Sequence, residues 1–284
     1  MSEGDPLRDP YRGAVAGLPR GVPFPPDRMT LFRSWTLRKR WHYVTFWSPS
    51  LIFCAAQVHV GPLPQEYWGL LVRSPQRRFR QKSHYLRRRV QLEDTRIAVD
   101  DGDVSIEISF EPNDEFFVYR PERRAYIWSR KQLATKATAR VRAGADTIEV
   151  EGVVFVDVNA GYHPRRTRWR WSAGVGLDQQ GRTVAWNAII GLFDTPEHSE
   201  RTIWIDGIPQ EIGPVKFTTD LNVVSFEEGG ELSFSKEADL RKRVGFFLFK
   251  SKYDHWFGSY RGTLPGGIEI RDGVGVRERQ DALW

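Results

Sequence analysis

The chain has one cysteine, Cys54, in 284 residues, so it can form no internal disulfide, and a reducing compartment is the expectation. Methionine is nearly as scarce, at two residues, and the long Ala/Leu/Glu/Lys blocks typical of extended helices are missing. No stretch approaches the ~18 consecutive apolar residues of a membrane-spanning helix. The opening Met1-Ser-Glu-Gly-Asp-Pro6 lacks the basic and apolar regions of a signal peptide, which makes the expected location cytoplasmic. There is no Gly-x-Ser-x-Gly elbow and no phosphate loop. Gly174-Val-Gly176 has no third glycine and no helix pattern after it. The histidines, His42, His59, His84, His163, His198 and His255, show no metal-ligand spacing, and no second cysteine joins them. These absences argue against nucleotide, pyridoxal and flavin enzymes. The residues call for no cofactor and no metal.

What is present describes a globular β protein. Hydrophobic residues make up 40% and charged residues 27%, an ordinary balance that argues against disorder. Aromatics reach 13%, with 11 tryptophans, enough to build aromatic cores or pocket walls. The net charge of +6 is modest, because 36 acids are interspersed among 42 bases. Such a balance fits a solvated surface or an anionic partner.

From Thr30 onward the dominant period is two. Val104, Ile106, Ile108 and Phe110 alternate with Ser105, Glu107, Ser109 and Glu111, as on a strand with one wet face. Between Thr147 and Val158, Ile148, Val150, Val154, Val156 and Val158 share one face. Val153, Phe155 and Asp157 share the other. In Thr167–Ser172 the two tryptophans face one way and the arginines the other. Asp101-Gly102, Asp206-Gly207, Gly229-Gly230 and Asp272-Gly273 mark tight turns. Many short strands with regular turns predict an all-β fold of antiparallel barrels, which avoid open edges. Only Pro64–Val72, Pro75–Arg89 and Ser235–Arg243 suggest short helices. No fixed-period repeat is visible. The length and the loop at Asn159–Pro164 suggest two lobes, 29–160 and 161–284, preceded by residues 1–28. That Pro- and Gly-rich segment reads as a flexible arm or a packed strap.

The densest chemical block runs from Asp157 to Trp171. Asp157 and His163 are candidates for a charge-assisted acid–base pair, and Tyr162 for a ligand contact or a proton donor beside them. Trp169 and Trp171 are candidate walls for an apolar ligand, or core filler. Asn187, amid apolar neighbours, would either bind ligand or tie strands together. Basic density peaks in Arg73–Arg89, where Arg77, Arg78, Arg87 and Arg88 would form a solvated face or contact an anionic membrane. With only Phe79 and Tyr85 interleaved, nucleic-acid binding is disfavoured. Cys54 lies in the apolar run Leu51–Ala56 and reads as a small buried hydrophobe.

The run Tyr162-His-Pro-Arg-Arg-Thr-Arg-Trp-Arg-Trp-Ser-Ala-Gly174, followed by Val184-Ala-Trp-Asn187 and Gly191, resembles an uncharacterised bacterial family, domain of unknown function twenty-eight-oh-four. Trp35–Tyr43 and Gly275-Val-Arg-Glu278 are similar to its ends, so the resemblance spans roughly 30–284. Where that family carries a His-Lys pair, this chain has Ser129-Arg-Lys131. The resemblance implies two lipocalin-like (calycin-type) β-barrel lobes packed together. It also implies kinship with lipocalin-like carotenoid hydratases and tocopherol cyclases, which hold long apolar substrates in or between barrels. Those enzymes protonate a carbon–carbon double bond, which needs a carboxyl kept neutral by an apolar pocket. Asp157 and Glu278 are the candidates here. The expected function is therefore binding of an apolar small molecule (isoprenoid, polyketide or lipid), with cofactor-free cyclase, hydratase or isomerase chemistry. The alternative is a non-catalytic protein that docks on a membrane surface or another protein.

Overall fold

Alternating side chains build strands, and strands are the dominant structure of this chain. The computed structural model describes residues 9–74, 76–122, 125–246 and 249–284. The first sheet comprises β1 (Tyr11–Gly13) and β4 (Lys39–Trp47) to β13 (Asp146–Gly161). Between these two lie the small hairpin strands β2 (Phe32–Arg33) and β3 (Thr36–Leu37). The intervening strands of the sheet are β5 (Leu51–Val60), β6 (Leu63–Val72), β7 (Arg78–Tyr85), β8 (Val90–Leu92), β9 (Arg96–Asp101), β10 (Val104–Phe110), β11 (Glu115–Glu122) and β12 (Ala125–Ala143). The second sheet comprises β14 (Arg166–Leu177), β15 (Thr183–Ile190), β16 (Thr202–Ile205), β17 (Ile208–Glu211), β18 (Val215–Phe217), β19 (Val223–Phe226), β20 (Glu231–Phe246), β21 (Phe249–Leu264) and β22 (Ile268–Leu283). Among the described residues there is no α-helix, only three short 3-10 turns. Among these described residues no helix is therefore long and apolar enough to cross a membrane.

The two sheets share one plan, which the sequence does not show as a repeat. The spatial order is β7-β6-β5-β4-β13-β12-β10-β9-β8 in the first and β17-β16-β15-β14-β22-β21-β20-β19-β18 in the second. In each, a four-strand meander joins a five-strand path where the last strand pairs antiparallel with the first. Each sheet curls into a half-barrel, and among the described residues its end strands are not paired with each other. The lobes are thus the expected lipocalin-like β lobes, curled but not sealed by a closing ladder.

One long strand explains the extra pair in the first lobe. A bulge between Ala134 and Ala137 divides β12, so its first half pairs with β11 and its second half with β10. Bulges bend a strand and re-aim its side chains. The bend lets β11 carry β1, and the segment expected as an N-terminal arm is packed from Tyr11 onward. Phe24 meets Phe117 edge-on at 4.9 Å, and the Tyr162 hydroxyl hydrogen-bonds Thr30. Residues 1–8 lie outside the described residues.

The alternation sorts side chains into three cores. Val154, Val156 and Val158 fill the interior of the first lobe, and Trp186, Phe234 and Tyr260 that of the second. A third core lies on the opposite faces, as a seam between lobes, where Trp47, Leu71 and Phe155 meet Trp171, Trp204 and Phe257. The three expected helices are strands, each for its own reason. In β6, Trp68, Leu70 and Val72 face the lobe interior while Tyr67 and Leu71 face the seam, so no polar face marks the period. In β20 a bulge between Lys236 and Ala238 breaks the alternation. The Pro75–Arg89 segment is the edge strand β7, whose many charged side chains suit an exposed edge and hide its strand pattern; Pro75 itself lies outside the described residues.

Candidate functional site

Directly paired residues of antiparallel strands point to the same side of a sheet. One such row crosses the seam face of the first sheet as Lys131, Asp157, Tyr43, Ala56 and Tyr67. The adjacent row is Ser129, Asn159, Trp41, Val58 and Gln65. On the second sheet the facing rows are Trp171, Glu278, His255 and Leu240, then Trp169, Gln280, Tyr253 and Lys242. The rows do not close on each other everywhere. They leave a cavity of about 660 Å³, walled mainly by Trp41, Tyr43, Val58, Trp169, Trp171 and Leu192. That volume suits a small-molecule ligand, and apolar walls with a few polar groups are the usual make-up of such sites.

Two carboxyl groups at one end of the cavity share a cation behind it. The Lys131 ammonium, fully buried, lies 2.7 Å from Asp157 and 3.1 Å from Glu200. Asn159 donates to the other Asp157 oxygen at 2.6 Å. Glu200 comes from the loop between β15 and β16, so the second lobe completes a cluster begun on the first. Burial pushes the Glu200 carboxyl up to about 7, reinforced by the neighbouring Asp157 and opposed by Lys131. Asp157 also rises, mainly by burial. Burial works against the Lys131 charge, but the two carboxyls outweigh it and hold the ammonium above its ordinary range. One cation cannot neutralise two buried carboxylates, so the cluster retains a proton near neutrality. Asp157 and Glu200 both line the cavity, so that proton faces any occupant.

The second carboxyl site is built differently. Glu278 accepts hydrogen bonds from the Trp169 indole and, at 2.7 Å, from the Tyr253 hydroxyl. The His255 ring lies 3.1 Å from the same Glu278 oxygen as Tyr253. Tyr253 in turn meets Tyr67 at 2.8 Å, and Tyr43 approaches the far nitrogen of His255 at 3.4 Å. Burial raises the phenols of Tyr43, Tyr67 and Tyr253 well above their ordinary range, so they stay neutral donors. Three polar side chains thus converge on the one Glu278 carboxyl.

The structure brings Asp157, Glu278, Trp169 and Trp171 together at the cavity. It places the other expected residues elsewhere. His163 is buried and stacked on Trp41 at 4.7 Å, with neither ring nitrogen hydrogen-bonded. Burial holds its pKa well below the ordinary value, so it is neutral. The anticipated Asp157–His163 pair does not form, because Lys131 occupies that role. Tyr162 packs in the first-lobe core rather than at the cavity. Asn187 ties strands: it accepts from the Trp171 indole at 2.6 Å and donates to the Glu200 carbonyl at 2.6 Å. Arg77 and Arg78 pair with Glu237 and Asp146, whereas Arg87 and Arg88 are exposed in the loop after β7. Sequence reasoning missed Glu200, Tyr253 and His255. Only the alternation of β21 carried a signal for the last two, and Glu200 sits in a loop with none.

A family model described as Domain of unknown function (DUF2804) matches residues 71–284. No curated protein matches the sequence. Among solved structures, a candidate AttH protein from Nitrosomonas europaea is similar at 14% identity, with 94% of this chain and 98% of that chain covered and a TM-score of 0.43. Kievitone hydratase from Nectria haematococca is similar at 9% identity, covering 87% and 88% with a TM-score of 0.44. CghA, solved with Sch210972, shows 9% identity over the same shares, with a TM-score of 0.40.

Proposed function

The chain belongs to the DUF2804 family, whose description assigns no activity, and we propose that its inter-lobe cavity binds an apolar small molecule and transfers protons to and from it without a cofactor. The observation that carries this reading is the pairing of Asp157 and Glu200 over one ammonium at an apolar cavity wall. A carboxylic acid kept protonated near neutral pH is the reagent needed to protonate a carbon–carbon double bond. Trp41, Trp169 and Trp171 line the cavity, and indole rings there would stabilise positive charge developing on the ligand. Glu278 stands as the acceptor for a proton lost from the ligand or from an attacking water. Loss from carbon gives isomerisation, loss from water gives hydration, and capture of the cation by a second double bond followed by proton loss to Glu278 gives cyclisation.

Native mass spectrometry of freshly purified protein, with organic extraction of whatever accompanies it, tests the binding half. A bound apolar molecule is the expected result. An empty protein that takes up nothing from isoprenoid and lipid mixtures would overturn it. With a ligand in hand, Asp157→Asn, Glu200→Gln and Glu278→Gln should retain binding and lose turnover, and full turnover in all three sinks the chemistry.

A second reading, docking on an anionic membrane surface, has an observation of its own. Leu63, Tyr85, Leu86 and Val244 are exposed, and all four line the cavity. Leu86, 79% exposed and at a left-handed φ of 61°, is followed directly by the exposed Arg87 and Arg88. Apolar tips beside basic groups are the composition of interfacial contacts. The expected result is co-flotation with vesicles containing phosphatidylserine that weakens with salt and in Arg87→Glu/Arg88→Glu. Equal behaviour on neutral vesicles would refute it.

A further inference from the structure

We propose that Lys242 is an anion-recognition point in the cavity wall, so that the apolar molecule bound there carries a carboxylate. This inference rests on the cavity being a ligand site. On β20, Leu240, Lys242 and Val244 share the seam-facing side, so a lysine stands in an otherwise apolar row. Its ammonium is buried and has no hydrogen-bond partner. Its near neighbour is the Tyr67 ring, 3.6 Å from nitrogen to centroid. Two other buried lysines are provided for: Lys131 has two carboxyls and Lys39 donates to the His163 carbonyl. A buried, unpaired ammonium is costly, and proteins rarely keep one without a counter-group.

The surrounding elements offer no such counter-group. Cys54 on β5 and Tyr67 on β6 are held neutral by burial, as is Tyr253 on β21, the direct cross-strand partner of Lys242. The Tyr253 hydroxyl is already committed to Glu278 and Tyr67. Glu278 on β22 is engaged by Trp169 and Tyr253. Burial therefore dominates at Lys242, with only Cys54 opposing it, and it pushes the ammonium down to about 7. Lys242 lines the cavity, so a ligand carboxylate can supply the missing charge and restore the proton. An alcohol or ester of the same chain cannot.

Calorimetric titration of the full chain with palmitic acid, hexadecanol and methyl palmitate tests this. The expected result is an acid preference of about 10- to 100-fold, the range of a charge-assisted hydrogen bond. The linkage gives a second signature. Below about pH 7 the ammonium is already charged and the acid affinity is level. Above it, binding must take up a proton, so affinity falls up to about tenfold per pH unit, while hexadecanol stays flat. Lys242→Met should abolish the acid preference yet bind hexadecanol as before, and it should fold at least as stably, because it removes an unpaired charge. Lys242→Arg should keep the preference. Equal affinity for acid and alcohol in the wild type, or an acid preference that survives in Lys242→Met, overturns the role of Lys242 and leaves the cavity reading intact. Failure of all three compounds to bind overturns both.

Discussion

The Lys131 ammonium lies 3.1 Å from the Glu200 carboxyl, and the two residues belong to different lobes. Lys131 is on β12 of the first sheet, and Glu200 is in the loop leaving β15 of the second. The contact does two things at once. It joins the lobes at a buried point of the seam, and it places a second carboxyl beside Asp157, which keeps a proton in the cluster. Lobe docking and the acid that faces the cavity are therefore one structural feature.

The Glu200 contribution to stability should fall as pH rises from about 4.5 to about 7, against the opposite contribution of His42 and His163, which burial holds below their ordinary values. In the folded state the Glu200 carboxyl titrates at about 7, raised from an ordinary glutamate value. Over that interval the folded protein holds a proton that the unfolded chain has released. The stabilisation is complete below the unfolded value and is lost as pH passes the folded one. Glu200→Gln removes the titration, so the difference in unfolding free energy between wild type and variant, from urea titrations, should change by on the order of 1–3 kcal/mol across this window. Parallel pH profiles for wild type and variant would contradict the assignment. Above pH 7 Lys242 acts in the opposite sense, because the folded protein sheds that proton before the unfolded chain does.

Lys131→Met should be among the most damaging single changes at this seam. It leaves two buried carboxyls without a cation, and breaking a buried ion pair from one side costs about 3–5 kcal/mol. Both carboxyls can escape by taking up protons, so the loss should be larger at pH 8 than at pH 5. Urea unfolding at the two pH values measures this, and a pH-independent loss would show that Lys131 acts by packing alone.

Asn187→Ala should destabilise the second lobe by about 1–3 kcal/mol, because it strips the buried Trp171 indole N–H of its partner and leaves the Glu200 carbonyl with the Thr202 hydroxyl alone. It should also loosen both groups it links, Trp171 and the backbone of Glu200. A shift in tryptophan emission at full folding, together with loss of the Glu200 titration, would report that loosening. An unchanged unfolding midpoint would rule out the tie.

Much of this fold was legible because the side-chain period of a strand is visible wherever one face is wet. The valine row of β13, with Asp157 and Phe155 on its other face, could be read directly, as could the two tryptophans of β14. The period disappears where a strand is buried on both faces, as in β6, or is shifted by a bulge, as in β20. The site was half legible for a related reason. Asp157, Trp169, Trp171 and Glu278 stand on strands whose faces can be assigned, but nothing local indicates which seam face will meet which. The pairing of Asp157 with Lys131 depends on a cross-strand register, and its pairing with Glu200 depends on how the lobes dock. His163, in the richest chemical stretch of the sequence, is drawn away by stacking on Trp41.

Cys54 offers a direct probe of that docking. It sits on β5 in the seam core, fully buried, and burial pushes its thiol up to about 12. A thiol is attacked as the thiolate and only when exposed, so the native protein should not react with a disulfide reagent on the time scale of a free thiol. Reaction then requires the lobes to part or the first lobe to unfold. If lobe separation is the route, Lys131→Met should speed the reaction by more than its global destabilisation accounts for, and an occupant of the cavity should slow it. A rate that tracks global stability alone across both variants and ligands would mean that the seam opens only when the whole protein unfolds. Rapid labelling of the untouched protein would show that the seam at Cys54 is not closed at all.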